Sequence, residues 1–128
     1  MNDHIRLSFP VNAAYVSSAR LTASSIANRI RFDIDEIEDI KTAVSEACTY
    51  IIKRLAHKAN GNFEICFIPG KDEISVDIAA QDVESAGDLD GQEMSLMMIK
   101  ALVDEFAISK LDGKISIAML KKHKGSLV

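Results

Sequence analysis

Tryptophan is absent from this chain of 128 residues, and proline and cysteine occur only twice each. So little proline, with no low-complexity tract, excludes a polyproline or disordered chain. Two cysteines cannot build a disulfide framework. Cys48 and Cys66 lie in apolar periodic segments, with no CxxC pair and no histidine at ligand spacing, and are therefore expected to be buried free thiols in a reducing compartment. No run of about 18 apolar residues occurs, and no charged leader precedes an apolar core. The expectation is a mature cytoplasmic protein with no membrane partner. A strongly basic surface is also missing. The net charge is -4, and the basic residues first gather at Lys121, Lys122, His123 and Lys124, which argues against nucleic acid as a partner and for a solvated tail.

What the chain does have is a hydrophobic fraction of 48% beside 27% charged residues, the balance of a globular protein. That length can bury a core without metals or disulfides, and no linker or repeat divides it, so residues 1–128 are expected to form a single domain.

Ile5, Leu7 and Phe9 alternate with polar residues and predict a strand that Pro10 ends. Asn12 offers a cap, and Val16, Ala19, Ala23, Ile26, Ala27 and Ile30 recur at helical spacing, predicting a helix over 13–31. A second helix over 34–57 has the clearest local signature. Asp33 and Glu36 form a capping box, Phe32 and Ile37 a hydrophobic staple, and Asn60-Gly61 a stop.

Phe63, Ile65 and Phe67, then Ile74, Val76, Ile78 and Ala80, read as two strands of a hairpin around Pro69-Gly70-Lys71-Asp72. Gln81 to Gly91, with Asp82, Glu84, Asp88 and Asp90, reads as an exposed loop. A third helix is expected over 91–105, capped by Asp90, with Glu93 three residues on and a staple of Leu89 with Met94. Its expected apolar face is Met94, Met98, Ile99, Leu102, Val103 and Phe106. Two last strands, 106–109 and 115–119, join across Asp112-Gly113. The order β-α-α-β-β-α-β-β predicts an α+β two-layer sandwich: a mixed, mostly antiparallel sheet covered on one face by three helices.

The residues alone do not assemble an active site. His4, His57 and His123 are scattered, and no phosphate-binding loop or nucleophile elbow is present. On the second helix Glu46, Tyr50, Lys53 and His57 follow one stripe. An ordinary solvated helix face is the plainer reading; a functional one requires the stripe to line a cleft.

The segment from Asp35 to Thr49 resembles the corresponding helix of anti-sigma factor serine kinases of the RsbW type, within the ATPase superfamily of histidine kinases, gyrase and MutL. Leu7-Ser8-Phe9-Pro10, the segment from Val16 to Arg29, and the segment from Ile99 to Glu105 look like the same family, in the same order. The resemblance implies the histidine-kinase-like ATPase fold. It also implies a catalytic glutamate that polarises the attacking hydroxyl, matched by Glu46, and four residues later a magnesium-binding asparagine, where this chain has Tyr50.

Other implied positions also depart. Ala80 stands where an aspartate would receive adenine, with Asp77 or Asp82 as possible substitutes, and Asp82 and Glu84 stand where glycines would let the nucleotide approach. Glu93 and Ser95 replace phosphate-cradling glycines, and Lys114 replaces a threonine. The expectation is a regulator that binds a sigma factor or a STAS-type antagonist through its first helix and first-strand edge, with a homodimer as a further candidate assembly, and without a cofactor. Two alternatives stand beside it: an active kinase that uses Glu46 with ATP and Mg2+, and a small-ligand module whose polar contacts are Glu46, Tyr50 and Lys53.

Overall fold

In the computed structural model, which describes residues 3–55, 61–81 and 93–126, five strands form one sheet and three helices lie against one of its faces. The strands are β1 (Ile5–Pro10), β2 (Asn62–Pro69), β3 (Glu73–Gln81), β4 (Glu105–Leu111) and β5 (Lys114–Lys122). The helices are α1 (Val16–Ala27), α2 (Ile34–Arg54) and α3 (Met94–Leu102). The order across the sheet is β1-β2-β3-β5-β4, and all four pairings are antiparallel. Connectivity explains this. Two helices between β1 and β2 return the chain to run against its first strand. The single helix between β3 and β4 makes those two strands parallel, and β5 inserts between them.

Alternation along each strand separates the two faces. Phe63, Ile65 and Phe67, Ile74, Val76, Ile78 and Ala80, and Ile115, Ile117 and Met119 are buried on the helix side. The outer residues of β3, Ser75, Asp77 and Ala79, are half-buried or exposed. The core closes against Ala19, Ala23 and Ala27 of α1, and Val44, Ala47, Cys48 and Ile51 of α2. Small side chains there let α1 and α2 approach closely.

The α2 capping box forms as expected: Asp33 Oδ1 accepts from the Glu36 amide at 2.8 Å, and Glu36 Oε1 from the Asp33 amide at 2.9 Å. The other helices are shorter than their apolar spacing predicts. Asn12 caps a separate 3-10 turn (Ala13–Tyr15) rather than α1 itself. At its far end Asn28 bonds back to the Ser24 carbonyl through both backbone and side chain, and Arg29 and Ile30 follow in tight turns, so α1 stops at Ala27. Helix α2 is described to Arg54, and the expected stop at Asn60 lies outside the described residues.

Helix α3 begins at Met94, which places Glu93 at the N-cap with no side-chain cap bond. The expected cap Asp90, the staple residue Leu89 and the loop after Gln81 lie outside the described residues. The helix ends at Leu102, where Val103 turns to an extended conformation with φ of -122° and ψ of 166°, and Lys121 Nζ satisfies the open Leu102 carbonyl at 2.8 Å. The backbone then turns into β4, with the Asp104 amide donating to the Leu120 carbonyl. The apolar face expected for α3 holds in part. Ile99 is buried and Leu102, Val103 and Phe106 pack partly buried on the core as expected, with Leu96 beside them, whereas Met94 and Met98 point to solvent.

Asp112 and Gly113, with φ of 53° and 76°, turn β4 into β5. Among the described residues no helix is long and apolar enough to cross a membrane.

Candidate functional site

Glu46 projects from the middle of α2, half-buried, and Ser95 at the start of α3 donates its hydroxyl to Glu46 Oε2 at 3.4 Å. Ser95 is one of only two buried polar residues among those described. The two side chains meet because α2 packs against α3 through Leu96 and Ile99, which brings the first turn of the short helix against the middle of the long one. On its other side Glu46 lines a groove of about 370 Å³ between α1 and α2, with Arg20, Lys41, Thr42, Ser45 and Thr49.

One turn after Glu46, Tyr50 is 6% exposed and belongs to the core cluster. Lys53 is exposed. The expected continuous solvated stripe is therefore broken: a half-buried carboxylate, a buried phenol and a free-standing ammonium follow one another along one helix. An aromatic ring at this position supplies area to the core that an amide would not, which accounts for its burial. His57, the last residue of that stripe, lies outside the described residues.

Ala80 is on the inner, helix-covered side of β3, opposite Phe63 and Ile115, and 6% exposed. Its methyl offers no hydrogen-bond acceptor. Asp77, considered as a substitute, is an odd number of residues away and faces the opposite side of the sheet, opposite Cys66 and Ala118. Asp82 and Glu84 lie outside the described residues. Glu93 is exposed beside the open first turn of α3; its carbonyl accepts from the Met97 amide. Lys114 begins β5 opposite Gln81 and lies beside Ser8, Glu64 and Ala79 along the uncovered sheet face. The structure thus joins Glu46 with Ser95, buries Tyr50 and Ala80 in the core, and leaves Lys53 and Lys114 on solvent. No group of three or more metal-ligating residues occurs among the described residues.

Cys48, on the core side of α2, is fully buried, and burial pushes its thiol up to about 12. Cys66 is only half-buried, on the uncovered sheet face. Both are free, but the expected burial holds fully for Cys48 alone, because Cys66 falls on the outward phase of β2.

Pattern reading missed a second polar cluster at the start of α2. Lys121, His123 and Lys124 are docked on its acidic residues, and Lys122 on Asp104, rather than forming a solvated tail. His123 Nδ1 is 2.8 Å from Glu36 Oε1, and the Lys124 amide donates to Glu36 Oε2 at 2.8 Å. Lys124 Nζ pairs with Asp33 Oδ2 at 2.8 Å, and Lys121 Nζ with Asp39 Oδ2 at 3.3 Å. The Lys122 amide donates to Asp104 at 2.7 Å, and the His123 amide to the Asp72 carbonyl at 2.8 Å. Burial alone raises the Glu36 carboxyl, but hydrogen bonds from Asp33, His123 and Lys124 outweigh it and hold the group below the usual range. The opposite charges of the two segments were the available signal. Nothing local links groups 87 residues apart.

Comparison with known proteins gives a concordant picture. The family model described as the histidine kinase-like ATPase domain matches residues 9–121. The serine-protein kinase RsbW of Bacillus subtilis is 30% identical over 98% of this chain and 89% of that protein. Its counterpart in Staphylococcus epidermidis is 34% identical over 95% of this chain and 88% of its own length. A crystal structure of the RsbU and RsbW domains of a Mycobacterium tuberculosis protein superposes with a TM-score of 0.74 at 16% identity, covering 94% of this chain and 32% of that one, a likeness of fold.

Proposed function

Because this chain belongs to the histidine kinase-like ATPase family, in the branch of the RsbW serine-protein kinases, we propose that it is an anti-sigma-type regulator that acts by binding other proteins. Its partners are a sigma factor, a STAS-type antagonist, or both, and nucleic acid and membranes are not among them. Residues 1–128 act as one domain, cytoplasmic and assembled as a homodimer. The exposed Tyr15 and Leu21 beside and on α1, together with the edge strand β1, support this part of the chain as the partner surface.

The observation that carries the reading is the burial of Tyr50 in the core one turn after Glu46. The resemblance implies an amide at this position to hold Mg2+. A neutral phenol is a poor ligand for a hard cation that demands compact oxygen donors in octahedral array. Ala80 supplies a methyl where an acceptor for adenine is implied, and Glu93 places a carboxylate beside the helix start that a phosphate would use. This residue set does not fit Mg2+ and ATP.

One contact favours the second reading, an active serine kinase. Glu46 already accepts from a serine hydroxyl, that of Ser95, as a general base for a serine substrate must. Calorimetric titration with ATP and ADP, with and without Mg2+, separates the two. The proposal expects no heat up to millimolar nucleotide, together with stable co-purification with a sigma factor or STAS-type protein. Micromolar, magnesium-dependent binding overturns it; phosphotransfer to a STAS-type protein, lost on Glu46→Ala, would then establish the kinase.

A further inference from the structure

Helix α3 turns two chemically different sides to its surroundings. Leu96 and Ile99 are fully buried, and Ser95 reaches Glu46. Met94, Met97 and Met98 are 72%, 51% and 38% exposed. Their spacing of three and four residues places the three thioethers on one solvent-facing stripe. Met119, on the inner side of β5, is 4% exposed and provides an internal contrast within the same chain.

A thioether sulfur is a soft nucleophile with no proton to lose. Its oxidation is therefore governed by access rather than by ionisation, unlike that of a thiol, which must first become a thiolate. Cys48 is closed to such chemistry, since it is fully buried and its thiol is held protonated. Cys66 lies on the sheet face opposite the helices, so modification there is separable by position.

We propose that Met94 and Met97, with Met98 beside them, form a reversible S-oxygenation site for hydroperoxides. The sulfur lone pair attacks the terminal peroxide oxygen and the O–O bond breaks. The departing alkoxide takes the hydroxyl proton, so one thioether and one hydroperoxide yield one sulfoxide and one alcohol. Sulfur loses two electrons and the peroxide gains them. The product oxygens project into solvent, and the Leu96–Ile99 side of the helix stays packed on α2. Oxidation thus turns an apolar stripe beside the Glu46–Ser95 contact into a polar one without unfolding the domain, and methionine sulfoxide reductases can reverse it. Neither nucleotide nor a partner protein is needed for this chemistry.

The test is to treat the intact chain with tert-butyl hydroperoxide at neutral pH and follow each methionine by peptide mass spectrometry. Met94 and Met97 gain oxygen on the order of tenfold or more faster than Met119, which is reached only through opening of the core. The thermal midpoint shifts by less than about 2 °C, and methionine sulfoxide reductases A and B restore the original mass. A variant carrying Met94→Leu, Met97→Leu and Met98→Leu keeps the apolar stripe without sulfur. It retains its elution from a hydrophobic-interaction column after peroxide, whereas the wild-type chain elutes earlier. Oxygen entering Met119 at the same rate, unfolding in step with oxidation, or an equal elution change in the leucine variant would each overturn the proposal.

Discussion

His123 and Glu36, 87 residues apart, meet through a contact of 2.8 Å between Nδ1 and Oε1. Glu36 is 5% exposed, and its other oxygen accepts from the Lys124 amide. The same carboxylate therefore caps α2 from within and fastens the end of β5 to it.

Acid should loosen this junction. Glu36 and Asp33 both have carboxyls held below their ordinary values: Asp33 chiefly by the Lys124 ammonium, and Glu36 by hydrogen bonds that overcome its burial. A carboxylate depressed in the folded state contributes stability above its unfolded pKa, about 4 for these groups. That contribution disappears as pH falls through the folded value. Urea midpoints are expected to be level from pH 7 to about 5 and to fall below about 4. Glu36→Ala should cost about 2–4 kcal/mol at pH 7 by removing the reciprocal half of the capping box and stranding the Asp33 amide, the His123 ring and the Lys124 amide, and it should flatten the acid limb. An unchanged acid limb in that variant would count against the junction.

The thiols should separate cleanly. With Cys48 fully buried and its thiol near 12, only Cys66 is expected to react with a disulfide reagent in the native state, and both after unfolding. Two fast-reacting thiols at pH 7 would contradict the packing of α2.

Tyr50 should behave as a core residue. Tyr50→Ala is expected to cost about 3 kcal/mol or more, measured by urea unfolding, because an aromatic side chain leaves a cavity. A loss under about 1 kcal/mol, the usual scale for a surface substitution, would place the ring outside the core.

Gly113 has a φ of 76°, where a Cβ is strained. Gly113→Ala should destabilise by about 1 kcal/mol, with the helices keeping their hydrogen-exchange protection. Asp112→Gly, at a φ of 53°, should be close to neutral.

Several elements were legible in the sequence because the forces that make them act within a few residues. The capping box of Asp33 and Glu36 joins neighbours in the chain, Asp112-Gly113 meets the positive-φ demand of its own turn, and the alternation of Phe63, Ile65 and Phe67 already states which side of β2 is apolar. The family too was legible, through the pattern from Asp35 to Thr49. Helical spacing was less reliable for length. It continued through Ile30, but the side chain and backbone of Asn28 close α1 earlier, and α3 ends at Leu102, where Val103 turns extended and Lys121, far along the chain, takes up the open carbonyl.

By itself, then, the sequence determined the element order, the capping box of α2, the Asp112-Gly113 turn, the apolar side of β2 and β3 and the family, all carried by contacts of short range or by local pattern. Only tertiary structure decided that Tyr50 lies in the core while Lys53, on the same stripe, does not; that Ser95 meets Glu46; that three methionines of α3 face solvent; and that Lys121, His123 and Lys124 close on the acidic residues of α2. Each depends on which surfaces the packed sheet and helices bring together, and periodicity along one segment carries no information about the partner that another segment presents.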